Sequence, residues 1–598
     1  MKLKLLIAAL LFQATIVVAQ EKCGFTKHQD DFYSQNPDAK IAHDKVELEL
    51  LNTGVQEFLT QKNVTSTTVY EIPVVVHLMN DGTTPLKTDA EIMTWIENCN
   101  KFYNTTYGGD WLTEANGGTV IPFKLVLAKR SPSCTATTGI NQINVTSTYS
   151  QYTTKGLNSN NSDGVTANQL RNLSRWDPQV YYNIYVVNTF DSTPISQPAG
   201  LQGYASFPTN PDNSYDTFMK ASVVTNTNDP TTLPHEFAHS MGLDHPFKTG
   251  TTTACPTVSS GCAVDNDKVC DTPSTKSLLG VNPLPTNSDP NPCDAAGWNN
   301  VQYNVMNYTS SSRLFTAGQK DRAVAMFLAS RENLTKSLGG TALPGSVPAT
   351  VAANTCTPQN TSVNSGNFQF GMTLVEIGTI KNTSSASNLN NSNKAYYDYT
   401  TSACLTSAFT TDLIVANNPQ TLKLKNGGPN PGVYSAWIDY NNDGAFTTGE
   451  LIVTNQTITT NTTNTFNFAI PPTGVTVDTP LRMRVIGDSQ ASSTSPCGQL
   501  QYGEVEDYIV VINPTMSIID VTDAKINISP NPSLGIVNIK NDKTISEVSV
   551  INIKGQTLFN KKYNQNNISL DIKHLPPAMY FLRITSEDNT ITKKIIRK

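Results

Sequence analysis

Three of the seven histidines of this 598-residue chain lie within residues 235–245, which read H-E-F-A-H-S-M-G-L-D-H. Positions four apart share one face of an α-helix, so His235 and His239 can direct neutral imidazole nitrogens at one metal ion. Glycine permits a left-handed turn that ends a helix, so we expect Gly242 to reverse the chain and return His245 as a third ligand. Three protein ligands with an open fourth position are typical of catalytic zinc.

Glu236 directly follows the first of these histidines. With both flanking histidines on the metal, its carboxylate cannot easily reach the same ion, but it can hold a water at the open position and take its proton. We therefore expect one Zn²⁺ as cofactor and Glu236 as the general base. The alternative is that these are ordinary polar residues of an amphipathic helix.

A second motif, Y-N-V-M-N-Y, occupies residues 303–308. Together the two motifs resemble the metzincin zinc peptidases, whose signature adds a glycine, a third histidine and a later methionine turn to H-E-x-x-H. The resemblance implies that Met306 is the apolar floor beneath the zinc ligands. It also implies that the Tyr308 hydroxyl approaches the metal or the developing oxyanion.

Two further segments, G-Y-A-S-F-P at residues 203–208 and V-C-D-T-P at residues 269–273, narrow this resemblance. They are similar to the pappalysin or cytophagalysin branch, over roughly residues 63–340. The resemblance implies an α+β metzincin-like catalytic domain with a mixed twisted sheet, a zinc-binding active-site helix and a Met-turn. In that family G-Y-A-x-F-P lies above the cleft, where an extended substrate pairs with the protein's edge through backbone hydrogen bonds.

The elements expected from periodicity agree with a mixed sheet and backing helices. Residues 72–78 and 181–187 are β-rich, and residues 90–103 have helical spacing of apolar side chains. Thr316 is a candidate cap for a helix over residues 317–334.

The residues after the methionine turn leave the cleavage preference open. Pappalysins with a basic preference carry acidic residues there, in the pocket for the residue that follows the cut. This chain has Ser310, Ser311, Ser312 and Arg313 instead. Without a buried carboxylate to pair with Arg or Lys, that preference cannot be carried over.

Ten cysteines in an exported chain favour disulfides. Four of them fall between the two zinc-site motifs, and the sequence alone allows three pairings of that set. The family resemblance implies Cys255 with Cys270 and Cys262 with Cys293. Cys99 with Cys134 is our prediction for a third bridge.

The loop between the two zinc-site motifs also contains oxygen ligands of the kind that calcium uses: Asp265, Asp267, Asp271 and Thr272. Related peptidases carry structural calcium around the V-x-D-T-P element, so Ca²⁺ is a candidate second ion. The alternative is that these side chains cap turns in a polar loop.

Cys23 stands near the start of the exported chain, in K-C-G. We interpret it as a cysteine switch, a thiolate that occupies the fourth position on zinc until its segment is cleaved away. The alternative is a disulfide. If Cys23 is not part of a disulfide, nine of the ten cysteines remain, and nine cannot all be paired. The switch therefore requires a second free thiol. We expect activation between Leu50 and Val69, where residues 56–70 resemble an exposed connection.

The amino terminus predicts export. Residues 1–19 have the charged start, apolar run and small-residue end of a signal peptide, with an uncleaved anchor as the alternative. No other segment is long and apolar enough for a membrane span. The length predicts several domains, and a net charge of −6 argues against a nucleic-acid partner.

The remaining chain predicts two all-β sandwich modules. After a propeptide at 20–62 and the peptidase domain at 63–340, we place linkers at 341–355 and 515–525. Residues 356–514, which contain W-I-D-Y-N-N-D-G and G-E-V-E-D-Y, resemble a GEVED-type module. Residues 526–598 resemble the C-terminal sorting domain of type IX secretion, with another adhesive β-module as the alternative.

One loop of the GEVED-type segment also matches an EF-hand, with Asp439, Asn441, Asp443 and Glu450 as ligands. An EF-hand needs a helix on each side, whereas the flanking residues read as strands, so a tight hairpin is the preferred interpretation.

The sequence therefore predicts a secreted or cell-surface zinc endopeptidase, made as a latent zymogen, that acts on proteins or peptides and is exported by the type IX machinery. The alternative function is a surface adhesin or glycan-binding protein that acts through the β-module.

Overall fold

A computed structural model describes residues 23–82, 85–159, 163–192, 200–228, 230–309, 311–343, 351–357, 371–383, 396–415, 419–427, 430–489, 495–498, 500, 503–513, 527–552, 557–586 and 589–598. The predicted signal peptide, the predicted linker at 515–525 and Ser310 lie outside these residues. The described chain divides into two compact units. One contains residues up to Thr411 with 421–466 and 480–510, and the other contains 412–420, 467–479 and 511–598.

Helices dominate the first part of the chain and strands the rest. The helices are α1 (Phe25–Gln35), α2 (Pro37–Thr53), α3 (Val55–Gln61), α4 (Asp89–Tyr103), α5 (Tyr152–Lys155), α6 (Ala167–Ser174), α7 (Thr232–Ser240) and α8 (Ala317–Arg331). The strands up to α7 are β1 (Tyr70–Asn80), β2 (Phe123–Leu127), β3 (Ile140–Asn144), β4 (Tyr182–Val187), β5 (Gly203–Ala205) and β6 (Asp216–Lys220).

The later strands form the carboxy-terminal half. They are β7 (Met372–Ile377), β8 (Ile380–Asn382), β9 (Tyr396–Asp398), β10 (Thr410–Ile414), β11 (Gln420–Asn426), β12 (Gly432–Ile438), β13 (Leu451–Ile458), β14 (Thr463–Phe468), β15 (Pro480–Asp488), β16 (Glu504–Asn513), β17 (Asn527–Ser529), β18 (Ile536–Ile551), β19 (Thr557–Asp571), β20 (Ala578–Ser586) and β21 (Asn589–Arg597).

The sheet of the predicted peptidase domain is mixed, as expected. Its order is β2-β1-β4-β6-β5, with β3 also paired to β1. Strands β1 to β4 and β6 pair in parallel, whereas β5 runs antiparallel to β6 at the edge. The central strand β1 is buried along most of its length, as expected for a parallel strand covered on both faces. This arrangement leaves β5 as an edge strand beside the zinc-site helix α7.

Two helices of this domain begin at capping boxes, and of these the cap at Thr316 was predicted. Thr88 and Glu91 form a capping box at the start of α4, and Thr316 and Gln319 form another at the start of α8. Helix α8 ends at Arg331, before the predicted Leu334, because the chain then tightens into a 3₁₀ helix over Glu332–Lys336. Both helices contribute to the main hydrophobic core of the peptidase.

The predicted propeptide forms three helices before β1. The expected open connection over residues 56–70 is partly wrong, because α3 occupies its first half. Phe58 and Leu59 explain the difference, since both are buried in the core that also includes α8. The exposed connection is therefore confined to the turn that follows α3, up to Val69, which is 58% exposed.

The GEVED-type segment is β-rich, as predicted. One sheet contains the strand order β16-β15-β12-β13, with β9 parallel to β16, and the other has the order β14-β11-β7-β8. The candidate calcium loop connects strands β12 and β13, which pair as a hairpin, so helices do not flank it. Asp439 accepts hydrogen bonds from the backbone N–H groups of Asp443 and Gly444, and Glu450 accepts one from Tyr440.

The last segment is a five-stranded sheet of order β17-β18-β20-β21, with β19 paired to β18. The alternating apolar side chains of β18 and β20 form one core that includes Val548, Val550, Leu582 and Ile584. Within the described residues, no helix combines the length and apolarity that a membrane crossing needs.

Candidate active site

Helix α7 carries the first two histidines, and Gly242 ends it. Gly242 has a φ of +93°, which an L side chain rarely adopts. A Cβ at this position would also lie 2.5 Å from Cβ of Met326 on α8. Glycine is therefore required here by both backbone conformation and packing, and the turn that it permits brings His245 back towards His235 and His239.

The structure brings the three predicted ligands together. Their Nε2 atoms lie 3.2 Å apart for His235 and His245, 3.2 Å for His235 and His239, and 3.1 Å for His239 and His245. Nδ1 of His235 donates to the Val305 carbonyl, and Nδ1 of His239 donates to the Leu243 carbonyl, each at 2.7 Å. Because these carbonyls fix the tautomer, both Nε2 atoms present lone pairs to the same point.

This donor set fits zinc. Ligand bonds of 2.0–2.1 Å in a tetrahedron separate nitrogen atoms by roughly 3.3 Å, close to the observed spacing. Sγ of Cys23 lies 3.5 Å from Nε2 of His239, and these four side chains are the group of potential metal ligands that converges within the described part of the chain. Burial and the neighbouring imidazoles hold the pKa values of His239 and His245 well below the usual range, which favours neutral rings.

Glu236 is completely buried beside the histidines. Its two carboxylate oxygens make no hydrogen bond of ordinary geometry within the described residues. Burial raises its pKa to about 8, against a lowering effect of the Cys23 thiol. A Cβ on Gly203 would lie 3.3 Å from Cγ of Glu236, so strand β5 passes directly against this carboxylate.

The methionine turn positions both His235 and Tyr308. Val305, whose carbonyl binds His235, and the fully buried Met306 form the centre of the turn. The amides of Asn304 and Gln319 exchange two hydrogen bonds of 2.8 and 2.9 Å, which tie the turn to α8. The Tyr308 hydroxyl donates to the backbone carbonyl of Cys23 at 2.9 Å, so it already reaches a peptide carbonyl beside the histidines.

The predicted propeptide crosses the site through contacts that could not be predicted from the motifs. Cys23 forms a parallel bridge with Gly203, and the Gly24 N–H donates to the Gly203 carbonyl at 2.9 Å. The Phe25 ring stacks on His239 with centroids 3.8 Å apart, and the Thr26 hydroxyl lies 3.2 Å from Nδ1 of His245. In the sequence, the apolar residue directly after C-G could have suggested a contact for Phe25. The backbone carbonyls that accept hydrogen bonds could not be predicted, because every residue has one.

The predicted disulfides in the site loop are wrong. The structure pairs Cys255 with Cys293 and Cys262 with Cys270, instead of Cys255 with Cys270 and Cys262 with Cys293. Cys262 and Cys270 flank a short turn with Cα atoms 4.9 Å apart, within bridging distance.

The predicted bridge between Cys99 and Cys134 is also wrong. Cys99 belongs to the apolar face of α4 and is 1% exposed in the peptidase core. Cys134 instead pairs with Cys404, and Cys356 pairs with Cys497. Cys23 and Cys99 are the two free thiols, so the count leaves Cys23 available as a ligand.

The candidate calcium ligands do not converge in the described structure. Asp265 accepts from the backbone of Ser259 and Ser260, and Asp267 accepts from the Thr272 hydroxyl. Asp271 instead accepts from Thr316 and from the Gly318 N–H at the start of α8. Each carboxylate thus caps a different turn or helix, as the alternative interpretation expected.

Three family models match separate parts of the chain. Residues 164–328 match the model described as pregnancy-associated plasma protein-A, a peptidase family that spans both zinc-site motifs. Residues 433–511 match the GEVED domain, and residues 527–598 match the secretion system C-terminal sorting domain. The sorting domain indicates export by type IX secretion to the cell surface or the extracellular space.

Solved structures similar to the chain include two forms of one peptidase from Tannerella forsythia. A promirolysin mutant is 20% identical, with a TM-score of 0.38, and the match covers 53% of this chain and 96% of that one. Mature mirolysin in complex with a cleaved peptide is 21% identical, with a TM-score of 0.34 and coverage of 45% and 97%. No curated protein matches the chain.

The family match includes all three converging histidines, Glu236 and the methionine turn. The chain therefore contains a zinc metallopeptidase domain of the pappalysin type, which includes residues 164–328, together with a GEVED domain and a type IX sorting domain.

Proposed function

We propose that the protein is secreted as a latent zinc endopeptidase in which Glu236 activates the attacking water, Tyr308 stabilises the oxyanion and Cys23 blocks the metal. The observation that carries this proposal is the convergence of three imidazole Nε2 atoms within 3.1–3.2 Å of one another, beside the fully buried carboxylate of Glu236. This is a ligand set with its general base already in place.

His235, His239 and His245 would hold the zinc ion, which supplies a Lewis acid and lowers the pKa of a water molecule. Glu236 accepts the proton of the attacking water and later delivers it to the leaving amine. The Tyr308 hydroxyl donates to the oxygen that becomes negatively charged. Its hydrogen bond to the Cys23 carbonyl supports this role, because that carbonyl belongs to a peptide lying across the site.

Substrate binding is assigned to the edge of strand β5. The bridge between Cys23 and Gly203 and the hydrogen bond from Gly24 show that an extended segment fits against this edge. A substrate would use the same backbone groups once the prosegment has left. The main-chain hydrogen bonds would then hold the scissile bond between Glu236 and Tyr308.

Latency is assigned to Cys23 and the residues around it. The thiol is 3% exposed and lies among the zinc ligands, while Phe25 and Thr26 contact His239 and His245. The Cys23 thiolate would bind the metal together with the three histidines and keep water away from it, and removal of the prosegment would allow water to enter.

Digestion of a proteome-derived peptide library by the mature protein tests the catalytic roles. We expect cleavage by the zinc-loaded wild type and none by Glu236→Ala or by a chelated sample. Intact peptides with the zinc-loaded wild type would refute the proposed activity. Equal cleavage by all three samples would identify a contaminant as the source and would also refute it.

The unprocessed protein tests the switch. Cys23→Ala should release activity without cleavage of the chain, because the fourth position opens to water. Cys99→Ala is the matched control, since Cys99 is the other free thiol of the described chain and lies in the core of α4. Continued latency of Cys23→Ala would show that the segment blocks the site by its bulk alone.

A further inference from the structure

Helix α7 is too short to hold its own position. It has nine residues, fewer than the ~12–15 that an isolated helix needs in water. Its imidazoles must nevertheless keep their places, because the residues of a functional site have to stay within about 0.5 Å of the productive geometry. The contacts between α7 and the rest of the domain therefore decide where His235 and His239 lie.

Two tyrosine rings pack against α7 in the core of the domain. The Phe237 ring, which lies between the two histidines in sequence, is fully buried there. The Tyr182 ring of β4 meets it edge-on, with centroids 5.0 Å apart and planes at 75°. The centroid of the Tyr103 ring of α4 lies 6.0 Å from that of Phe237. Each tyrosine thus brings a hydroxyl to α7 from a separate element of the domain.

The Tyr103 hydroxyl binds the amino-terminal turn of α7. It donates to the Pro234 carbonyl at 2.8 Å. This carbonyl belongs to the peptide bond that contains the N–H of His235, so the hydrogen bond acts directly before the first ligand. Tyr103 is buried, and burial raises its pKa well above the usual value. The hydroxyl therefore keeps the proton that it donates.

The carboxy-terminal turn of α7 is bound through Ser240, the residue directly after His239. The Tyr182 hydroxyl is hydrogen-bonded to the Ser240 hydroxyl and to that of Thr217 on β6. The Tyr215 hydroxyl donates to the Ser240 carbonyl at 3.2 Å. The last carbonyls of a helix have no partner within it, and this bond satisfies one of them. All four of these hydroxyl side chains are completely buried, so water does not compete for their hydrogen bonds.

We propose that Tyr103 and Tyr182 are positioning residues of the zinc site, which fix the two ends of α7 and thereby the spacing of His235 and His239. This inference rests on the proposed zinc chemistry at these histidines. The two hydroxyls act on the helix backbone and on Ser240, one step removed from the ligands. Loss of a hydrogen-bonding partner behind a metal site typically lowers metal affinity by roughly 10–100-fold.

The zinc affinity of the mature protein, measured by competition with a chelator, tests this role. Tyr182→Phe keeps the ring and removes the hydroxyl, so we expect zinc to bind at least about tenfold more weakly. The cobalt-substituted variant should also have a shifted visible absorption spectrum, because that spectrum reports the geometry of the ligands. Tyr103→Phe should produce the same two changes from the other end of α7.

Tyr152→Phe is the matched control. Tyr152 is also completely buried, and its hydroxyl donates at 2.7 Å to a backbone carbonyl, that of Met79 on β1. This variant should lose a similar free energy of unfolding but keep the zinc affinity and the cobalt spectrum of the wild type. An equal loss of zinc affinity in Tyr152→Phe would overturn the inference. So would wild-type affinity and spectrum in folded Tyr182→Phe or Tyr103→Phe.

Ser240→Ala removes the hydrogen bond to Tyr182 from the helix side. It should weaken zinc binding about as much as Tyr182→Phe does. The double variant should lose little more than either single variant, because both substitutions remove the same interaction. Fully additive losses would contradict the assignment. A wild-type protein that binds no zinc would refute the proposed metal site itself, whereas zinc binding that these variants leave unchanged would overturn this inference alone.

Discussion

At the residue scale, the zinc site depends on backbone groups as much as on the side chains that define its motif. The spacing of His235, His239 and His245 was sufficient to predict a common metal. It could not reveal that Val305 and Leu243 supply the carbonyls that orient two of the rings. Every residue has a carbonyl, so only the folded chain shows which ones reach a histidine.

Gly242→Ala is expected to destabilise the protein and reduce its zinc content. The left-handed conformation costs about 1–2 kcal/mol for an L side chain, and the contact with Met326 adds overpacking of about 1–3 kcal/mol. Urea unfolding and zinc analysis of the purified variant measure both effects.

Gly261→Ala is the matched control for this change. Gly261 has a φ of +100°, but a Cβ there would meet no atom within 4 Å. It should therefore show the backbone cost alone and retain zinc. Equal losses in the two variants would contradict a specific role for the packing against α8.

Tyr308→Phe is expected to lower kcat by roughly 10²–10³-fold, as does the removal of one oxyanion donor in other hydrolases. KM should change little, because the missing hydrogen bond forms fully only in the transition state. Steady-state kinetics of the mature form separate the two constants. A raised KM with unchanged kcat would assign Tyr308 to substrate binding instead.

At the element scale, α8 connects most parts of the catalytic domain. Its first turn binds Asp271, Gln319 holds the methionine turn, and Met326 packs against Gly242. Arg322 forms an ion pair with Glu47 of α2, in the predicted propeptide. The cap and apolar face predicted the helix itself, but not these polar partners, which come from sequence positions far from α8.

The disulfides show why pairing resists prediction at this scale. Cys99 is one of the regularly spaced apolar residues of α4. Its side chain is therefore buried in the core, and it does not form the predicted bridge to Cys134. Cys134 and Cys404 are 270 residues apart in sequence, so nothing local links them. Spacing patterns identify helices and strands, whereas bridges depend on how those elements meet.

Strand β16 contains a pair of buried carboxyl groups that should make stability depend on pH. Burial, together with the charge of Glu506, raises the pKa of Glu504, and burial raises that of Glu506 from 4.5 to about 7. The folded state thus holds a proton on Glu506 more tightly than the unfolded state does. Its stability therefore falls as the pH rises from the unfolded-state pKa of 4.5 through the folded-state pKa of about 7. The module should therefore be less stable at pH 8 than at pH 5.

Calorimetric unfolding of the full chain and of Glu506→Gln at both pH values tests this prediction. The neutral variant should gain stability relative to the wild type as pH rises. Glu376→Gln is the control, since Glu376 pairs with Lys423 nearer the surface. If the difference in unfolding free energy between wild type and Glu506→Gln is the same at pH 5 and pH 8, the buried carboxyl pair does not cause the pH dependence.

At the scale of the whole molecule, segments with separate roles follow one another along the chain: a peptidase domain, a GEVED domain and a sorting domain for export. The family matches at 164–328, 433–511 and 527–598 follow the order predicted from local motifs. The predicted domain boundaries remain predictions, because linker composition marks them less sharply than a motif marks its domain.

Activation is expected to occur in the exposed turn between α3 and β1. This connection reads N-V-T-S-T-T-V over residues 63–69, and most of its residues are exposed and outside any helix or strand. The zymogen with Glu236→Ala should stay intact until active enzyme is added. Amino-terminal sequencing of the product would then place the cut. A mature terminus before Leu50 would contradict this account.

Peptide hydrolysis at the three histidines is expected to require both zinc and Glu236. The most direct measurement is zinc content and peptide turnover in the same mature samples of wild type, Glu236→Ala and His239→Ala. We predict bound zinc and turnover in the wild type, bound zinc without turnover in Glu236→Ala, and loss of both in His239→Ala. Undiminished turnover by zinc-loaded Glu236→Ala would contradict the account.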